Sequence, residues 1–160
     1  MKKTTFESTT DIKIAVLFVG VQGAGKTGFF QRYFFDAYTR ISLGELGSRQ
    51  AEKQILSDCI SHGVSYVIDA QNLTREDRRR YFAAAHENGY RVVGYYFPCG
   101  MNDALSRSGF VGDKNAKRRL KKAFERLEIP EYEEGFDELY TVNIERAGEY
   151  ITQRMPCAED

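Results

Sequence analysis

The chain has 160 residues, 42% of them hydrophobic and 29% charged, which fits one globular domain with a single core. Lysine plus arginine equals aspartate plus glutamate at 23 each, so bulk electrostatic attraction to nucleic acid is excluded while a local basic patch is not. No run approaches the roughly 18 apolar residues of a membrane span, and the opening MKKTTFESTTD lacks the apolar core of a secretory signal and reads as a frayed lead-in.

Residues 12–19, IKIAVLFV, form a nearly continuous apolar run, the pattern of a strand buried on both faces. A glycine-rich turn follows, then a predicted helix over 26–37 with Phe30, Tyr33, Phe34 and Ala37 on one side. Residues 40–43 read as a short strand. A second helix is predicted over 45–62, stopped by Gly63, with Leu46, Ile55, Leu56, Cys59 and Ile60 as its apolar residues. Residues 64–68 are a third strand. Thr74-Arg75-Glu76-Asp77 places a cap and an acid at the start of a helix that Gly89 ends. RVVGYYF, 91–97, is a fourth strand. Residues 114–127 are helical, with Ala116, Leu120, Ala123, Phe124 and Leu127 on one face. A fifth strand over 139–142 and a final helix over 144–154 complete the order.

Strands alternating with helices imply parallel pairing through crossovers. The expected architecture is a single three-layer α/β domain over 1–160 with a parallel five-stranded sheet. Ligands in such folds sit at the carboxyl ends of the strands, so the residues just after each strand are the candidates for chemistry.

Gly20-Val21-Gln22-Gly23-Ala24-Gly25-Lys26-Thr27 follows the first strand and opens the first helix, a complete Walker A match in its required context. Its glycines allow successive N–H groups to turn toward one anion, and the helix start adds a positive dipole end. Lys26 is expected on the β- and γ-phosphates of ATP, and Thr27 on Mg²⁺. No guanine-specifying Asn-Lys-x-Asp occurs, which argues against a GTPase. Asp69, in VIDAQNLT, ends the third strand, where a carboxylate either holds Mg²⁺ or orients an acceptor; Asn72 is a neutral partner nearby. The same pair also suits a plain turn.

Arg75, Arg78, Arg79 and Arg80 read as a solvated face balanced by Glu76 and Asp77. Lys114, Lys117, Arg118, Lys121 and Lys122 share one helical face, suited either to a phosphodiester backbone or simply to solvent. Arg107, in LSRSGFVG, suggests a lid over about 107–113 that closes on the phosphates. His62 and His86 read as helix-end residues, and Tyr95, Tyr96 and Phe97 as buried strand. The three cysteines, Cys59, Cys99 and Cys157, are odd in number and widely spaced, so no disulfide framework is expected and the setting is cytoplasmic.

The stretches GVQGAGKT, ISLGELGSRQ, VIDAQNLTREDRRRYFAAAHENGYRVVGYYF and ALSRSGFVGDK together resemble the kinase domain of the 5′-hydroxyl polynucleotide kinase family and related bacterial P-loop kinases. The likeness runs over about 13–132 and is strongest over 67–97. It implies an adenylate-kinase-like P-loop NTPase fold, ATP with Mg²⁺ as donor, and a 5′-OH nucleic-acid end as acceptor. Carried over by position, Lys26, Thr27 and Arg107 serve the nucleotide, and Asp69 and Asn72 match the Asp-x-x-Asn turn. The family's general-base aspartate falls on Gly44 here, its substrate arginine falls on Gly47, and the lid lacks the asparagine and second arginine of the pattern. Glu45, beside the vacant base position, is the substitute candidate. Transfer to a small-molecule hydroxyl, or nucleotide binding with little catalysis, are the competing expectations.

Overall fold

The structure is a computed structural model describing residues 12–158; the predicted lead-in lies outside the described residues. Strand β1 (Ile14–Val19) runs through the centre of a six-stranded sheet. It pairs in parallel with β3 (Tyr66–Ile68) on one side and β4 (Arg91–Tyr96) on the other, with Val16 opposite both Val67 and Val93. Outside β3 lies β2 (Thr39–Ile41), and outside β4 lie β5 (Glu138–Ile144) and β6 (Tyr150–Arg154), giving the order β2-β3-β1-β4-β5-β6. The chain leaves β1 toward one edge and later crosses to the other, so a crevice opens at the carboxyl end of β1.

Alternation along β1 makes the three layers. Val16 and Phe18 face α1 (Lys26–Tyr33), α6 (Met101–Ser108) and α7 (Lys114–Arg126) through Phe29, Phe34, Leu105 and Leu120. Ala15 and Leu17 face α3 (Arg49–His62) and α5 (Phe82–Glu87) through Cys59, Phe82 and Ala85. Phe18 is ringed by aromatics, with Phe97, Phe29 and Phe34 centroids 5.2, 5.8 and 5.9 Å away. Such pairs contribute about 0.5–1.5 kcal/mol each beyond their burial. Among the described residues no helix is long and apolar enough to cross a membrane, and Cys59 and Cys99 form no disulfide.

Four predicted elements differ from the structure. The final helix over 144–154 is instead β6, antiparallel to β5, so the sheet is mixed and six-stranded rather than parallel and five-stranded. Gly148, at φ 75, turns the chain there, and Tyr-Ile-Thr pairs as a strand rather than coiling. The helix over 45–62 is two helices. Gly47, at φ 75, closes α2 (Leu43–Leu46), and the Ser48 hydroxyl then caps α3 by accepting from Ala51 N–H. The helix from Thr74 to Gly89 also breaks, into α4 (Arg75–Arg79) and α5, where Tyr81 N–H reaches back three residues to Arg78 O. Finally, 101–108 is helix α6 and not part of a loop, leaving 109–113 as the connection to α7.

That second break places Arg78, read from the sequence as solvated, fully out of water. Its guanidinium grips both oxygens of Glu134 at 2.7 and 3.0 Å and donates to the carbonyls of Asn72, Leu73 and Glu128. It thereby ties the turn after β3 to the segment after α7. Replacing Arg78 by alanine strips the buried Glu134 carboxylate of its counter-ion and the carbonyls of Asn72 and Glu128 of this donor, while Leu73 O keeps Glu128 N–H, and should lower the unfolding free energy by about 3–5 kcal/mol in urea titrations. A loss under about 1 kcal/mol would contradict this account.

Candidate active site

The loop after β1 folds around its own lysine. Lys26 Nζ donates to the carbonyls of Gly20 and Val21, each at 2.7 Å, and the residue is only 8% exposed. Gly23 and Gly25 have φ of 84 and 99, torsions that side chains with a Cβ rarely adopt. Close packing adds to the requirement. A Cβ on Gly23 would lie 2.2 Å from Ala104 O of α6, and one on Gly25 would lie 2.4 Å from Ile144 Cδ1 of β5. Tyr150 of β6 also donates its hydroxyl to Gly25 O at 3.1 Å. Helix α1 starts with no side-chain cap and no acid in its first turn, so its leading N–H groups remain available to an anion.

Asp69 follows β3 and is nearly buried. Its Oδ2 accepts from Arg40 Nε at 2.7 Å and from Thr27 Oγ1 at 3.4 Å. A hydroxyl and a carboxylate oxygen this close are the hard donors that suit Mg²⁺, which keeps waters and phosphate oxygens as its other ligands. The residues present therefore fit the metal, although among the described residues no cluster of three or more His, Cys, Asp or Glu could hold one. Asn72 sits at φ 47 and donates one amide hydrogen to Phe18 O at 2.8 Å, which leaves its Oδ1 and the second amide hydrogen.

Arg40, read from the sequence only as a strand residue, joins the site's acids. Besides Asp69 it bonds Glu45 Oε1 at 2.6 Å, and Glu45 is otherwise a solvent-facing side chain. Gly44 lines the cleft, and a Cβ there would meet nothing nearer than Ser42 Oγ at 3.9 Å. Arg107 lies in the last turn of α6 with Nη1 3.4 Å from Gly23 O.

Gly23, Gly25, Lys26, Thr27, Arg40, Gly44, Asp69, Asn72 and Arg107 line one cleft of about 1,100 Å³, and Glu45 is not among its lining residues. That is at the top of the range for a single small ligand, roughly 300–1,000 Å³, and leaves space for two. Its walls carry Lys26, Arg40, Arg49, Arg107, Arg119, Lys122 and Arg126 against the carboxylates Asp69 and Asp77. A chain of zero formal charge thus concentrates positive potential in one place. On α7 the cleft-facing row is Arg119, Lys122 and Arg126, spaced i, i+3, i+7; of the predicted basic face only Lys122 belongs to the lining. Arg49, Arg119 and Arg126 were not legible as site residues, because ordering them needs the helix rotation that packing fixes. The histidines stay outside the cleft: His62 bonds Asp58 O and His86 bonds Asp137. Tyr95 stacks on Tyr140 within the sheet layer.

No protein-family model and no curated protein matches this sequence. Solved structures do. A gluconokinase from Sinorhizobium meliloti 1021 superposes with a TM-score of 0.56 at 16% identity, over 82% of this chain and 83% of that one. A chain of the PezAT chromosomal toxin-antitoxin system of Streptococcus pneumoniae gives 0.57 at 14% identity, over 92% and 73%. The protein APE1195 gives 0.51 at 16% identity, over 86% and 87%. Likeness at this level of identity shows the fold alone: an α/β fold with a mostly parallel sheet, shared with a gluconokinase. None of the three is titled a polynucleotide kinase, so that narrower resemblance rests on the sequence motifs alone.

Burial pushes the Lys26 ammonium down to about 8, against the pull of Asp69 and Cys99. A phosphate chain needs the charged form. Below pH 8 Mg·ATP affinity should therefore be flat. Above it, binding must take up a proton, and affinity should fall by up to tenfold per pH unit while the complex keeps Lys26 charged. Isothermal titration between pH 6.5 and 9.5 in buffers of different ionisation heat reads both effects; a flat profile would contradict them.

Proposed function

We propose that this protein transfers the γ-phosphoryl group of ATP to a hydroxyl acceptor. The observation that carries the reading is the Lys26 ammonium held inside the glycine turn, next to the Thr27–Asp69 oxygen pair. Amides of Gly23 and of Gly25 through Thr27 cradle the β- and γ-phosphates, with Lys26 countering their charge, while the Gly20 and Ala24 amides bond Gln71 O and Val21 O. Thr27 and Asp69 would hold Mg²⁺, which would supply positive charge to the phosphate oxygens when bound. Arg107, from the lid helix, approaches the same loop and stabilises charge on the transferring group. The acceptor oxygen attacks phosphorus, its proton passes to a carboxylate or to water, and ADP leaves.

The base is the weak part of the site. Asp69 is committed to Arg40, which favours a metal-holding role over proton abstraction. Glu45 is exposed and also paired with Arg40, so it is a poor but available base. The loose transition state of phosphoryl transfer asks little of a base, and losing one typically costs about 10²- to 10⁴-fold in rate without affecting nucleotide binding.

The leading acceptor is a polynucleotide 5′-OH, supported by the sequence resemblance and by the cationic row of Arg119, Lys122 and Arg126 along the cleft. A small-molecule hydroxyl is the second reading, favoured by the fold shared with a protein titled a gluconokinase. Offering γ-labelled ATP with 5′-OH oligonucleotides, sugars and simple alcohols separates them. Transfer to oligonucleotides should fade steeply with salt, whereas transfer to a neutral sugar should not. Binding of Mg·ATP with no label transferred to any acceptor would leave a nucleotide-binding module instead.

Gly44 has open space beside it, so aspartate fits there without displacing backbone. If the native chain lacks an efficient base, Gly44→Asp should raise the transfer rate by about 10²-fold or more at unchanged ATP affinity. Glu45→Gln should lower it by a similar factor if Glu45 takes the proton; equal rates would remove Glu45 from the mechanism.

A further inference from the structure

The cations of the cleft fall into groups. Lys26 and Arg107 lie on the phosphate loop, bonded to its carbonyls. Arg40 is neutralised by Asp69 and Glu45. Arg49, paired with Glu52 at 3.1 Å, and Arg119, Lys122 and Arg126 remain, and the one other carboxylate on the cleft wall, Asp77, stands 3.6 Å from Arg126 and also caps α4. This positive surplus is not needed by the triphosphate chain, which already has Lys26, Arg107, helix α1 and the metal.

Of that surplus, Arg49 has a built support. Its Nη1 donates to Glu52 Oε1 at 3.1 Å and to the Tyr81 hydroxyl at 3.3 Å, and that hydroxyl donates to the same Glu52 oxygen at 3.0 Å. Glu52 and Tyr81 are each 2% exposed, whereas the Arg49 side chain is 45% exposed and lines the cleft. Both bonds leave from Nη1; Nε and Nη2 make none among the described residues, so one edge of the fork stays available. Glu52 Oε2 is buried without a partner. A buried carboxylate with one oxygen unsatisfied is a costly way to fill a core. What it accomplishes is to fix one guanidinium in rotamer and direction.

We propose that Arg49, oriented by Glu52 and Tyr81, binds a phosphate group carried by the acceptor itself, so the acceptor is a phosphorylated hydroxyl compound rather than a neutral sugar or alcohol. This rests on the phosphotransfer reading above. Arg49 is the binding residue, and Glu52 and Tyr81 are positioning residues. The planar fork suits phosphate by two parallel charge-assisted bonds, and Arg119, Lys122 and Arg126 supply further charge for a dianion.

Inorganic phosphate is the probe, titrated calorimetrically into the full chain already saturated with Mg²⁺ and a non-hydrolysable ATP analogue. The proposal expects a further saturable phosphate site. Arg49→Lys keeps a cation beside Glu52 but loses the fork, and should weaken phosphate about tenfold or more. The double variant Arg49→Met with Glu52→Gln avoids stranding the carboxylate and should remove the site while analogue affinity holds. Tyr81→Phe should weaken phosphate several-fold, an effect a merely structural tyrosine would not have on a folded chain. A short single-stranded oligonucleotide and glycerol phosphate, tried as competitors, distinguish a phosphodiester from a phosphomonoester source. Equal phosphate affinity in the double variant, or no added phosphate site on a chain that binds the analogue, overturns the proposal. Failure to bind the analogue overturns the nucleotide reading separately, and the same phosphate titration on Lys26→Ala then still reads the Arg49 site.

Discussion

One buried ammonium sets the constraint on which the carboxyl edge of the sheet depends. Lys26 is taken out of water and compensated by two main-chain carbonyls of its own turn and by the more distant Asp69 and Cys99. Holding those carbonyls inward forces Gly23 and Gly25 into left-handed torsions. Such a turn is firm only where its surroundings leave it no alternative. Helix α6 presses on Gly23, and the β5–β6 hairpin presses on Gly25. Strand β1, packed by Phe18 and its ring of aromatics, fixes where the turn begins. Core packing on one face of the sheet is thus the source of rigidity for the anion site at its end.

Arginine does the same kind of work three times. Arg40 links Asp69, Thr27 and Glu45, so the two carboxylates share one counter-ion. Arg49 is clasped by Glu52 and Tyr81. Arg78 joins the turn carrying Asn72 to Glu134. In each case a planar fork fixes direction as well as charge. Substitution by lysine at any of them would keep the sign and lose the geometry.

The fold was legible where the pattern was local and strong. IKIAVLFV, the glycine turn and the apolar face of α7 each declare themselves within one window, and all three stand as read. The misreadings share a cause: a short local signal outweighed by pairing or capping elsewhere. Residues 144–154 contain helix-tolerant Ile-Glu-Arg-Ala, yet the exposed edge of β5 recruits Tyr150 onward as a strand. Gly47-Ser48 is a stop followed by a start, which a single apolar tally over 45–62 hides. At the site, Lys26, Thr27, Asp69 and Arg107 were accessible from motif and order. Arg40, Arg49 and Arg119 were not, because their placement depends on strand alternation, a helix break and a helix rotation that one sequence leaves undetermined.

The hydroxyl of Tyr150 reaches the carbonyl of Gly25 across 125 positions of chain. The support of the glycine turn is thus a long-range contact, and loop-closure entropy must be overcome before it contributes anything. During synthesis the glycine turn, the lysine and the threonine all leave the ribosome well before the hairpin that supports them. A nascent chain would pass through a stage that displays the whole motif yet lacks the wall against which the turn is held.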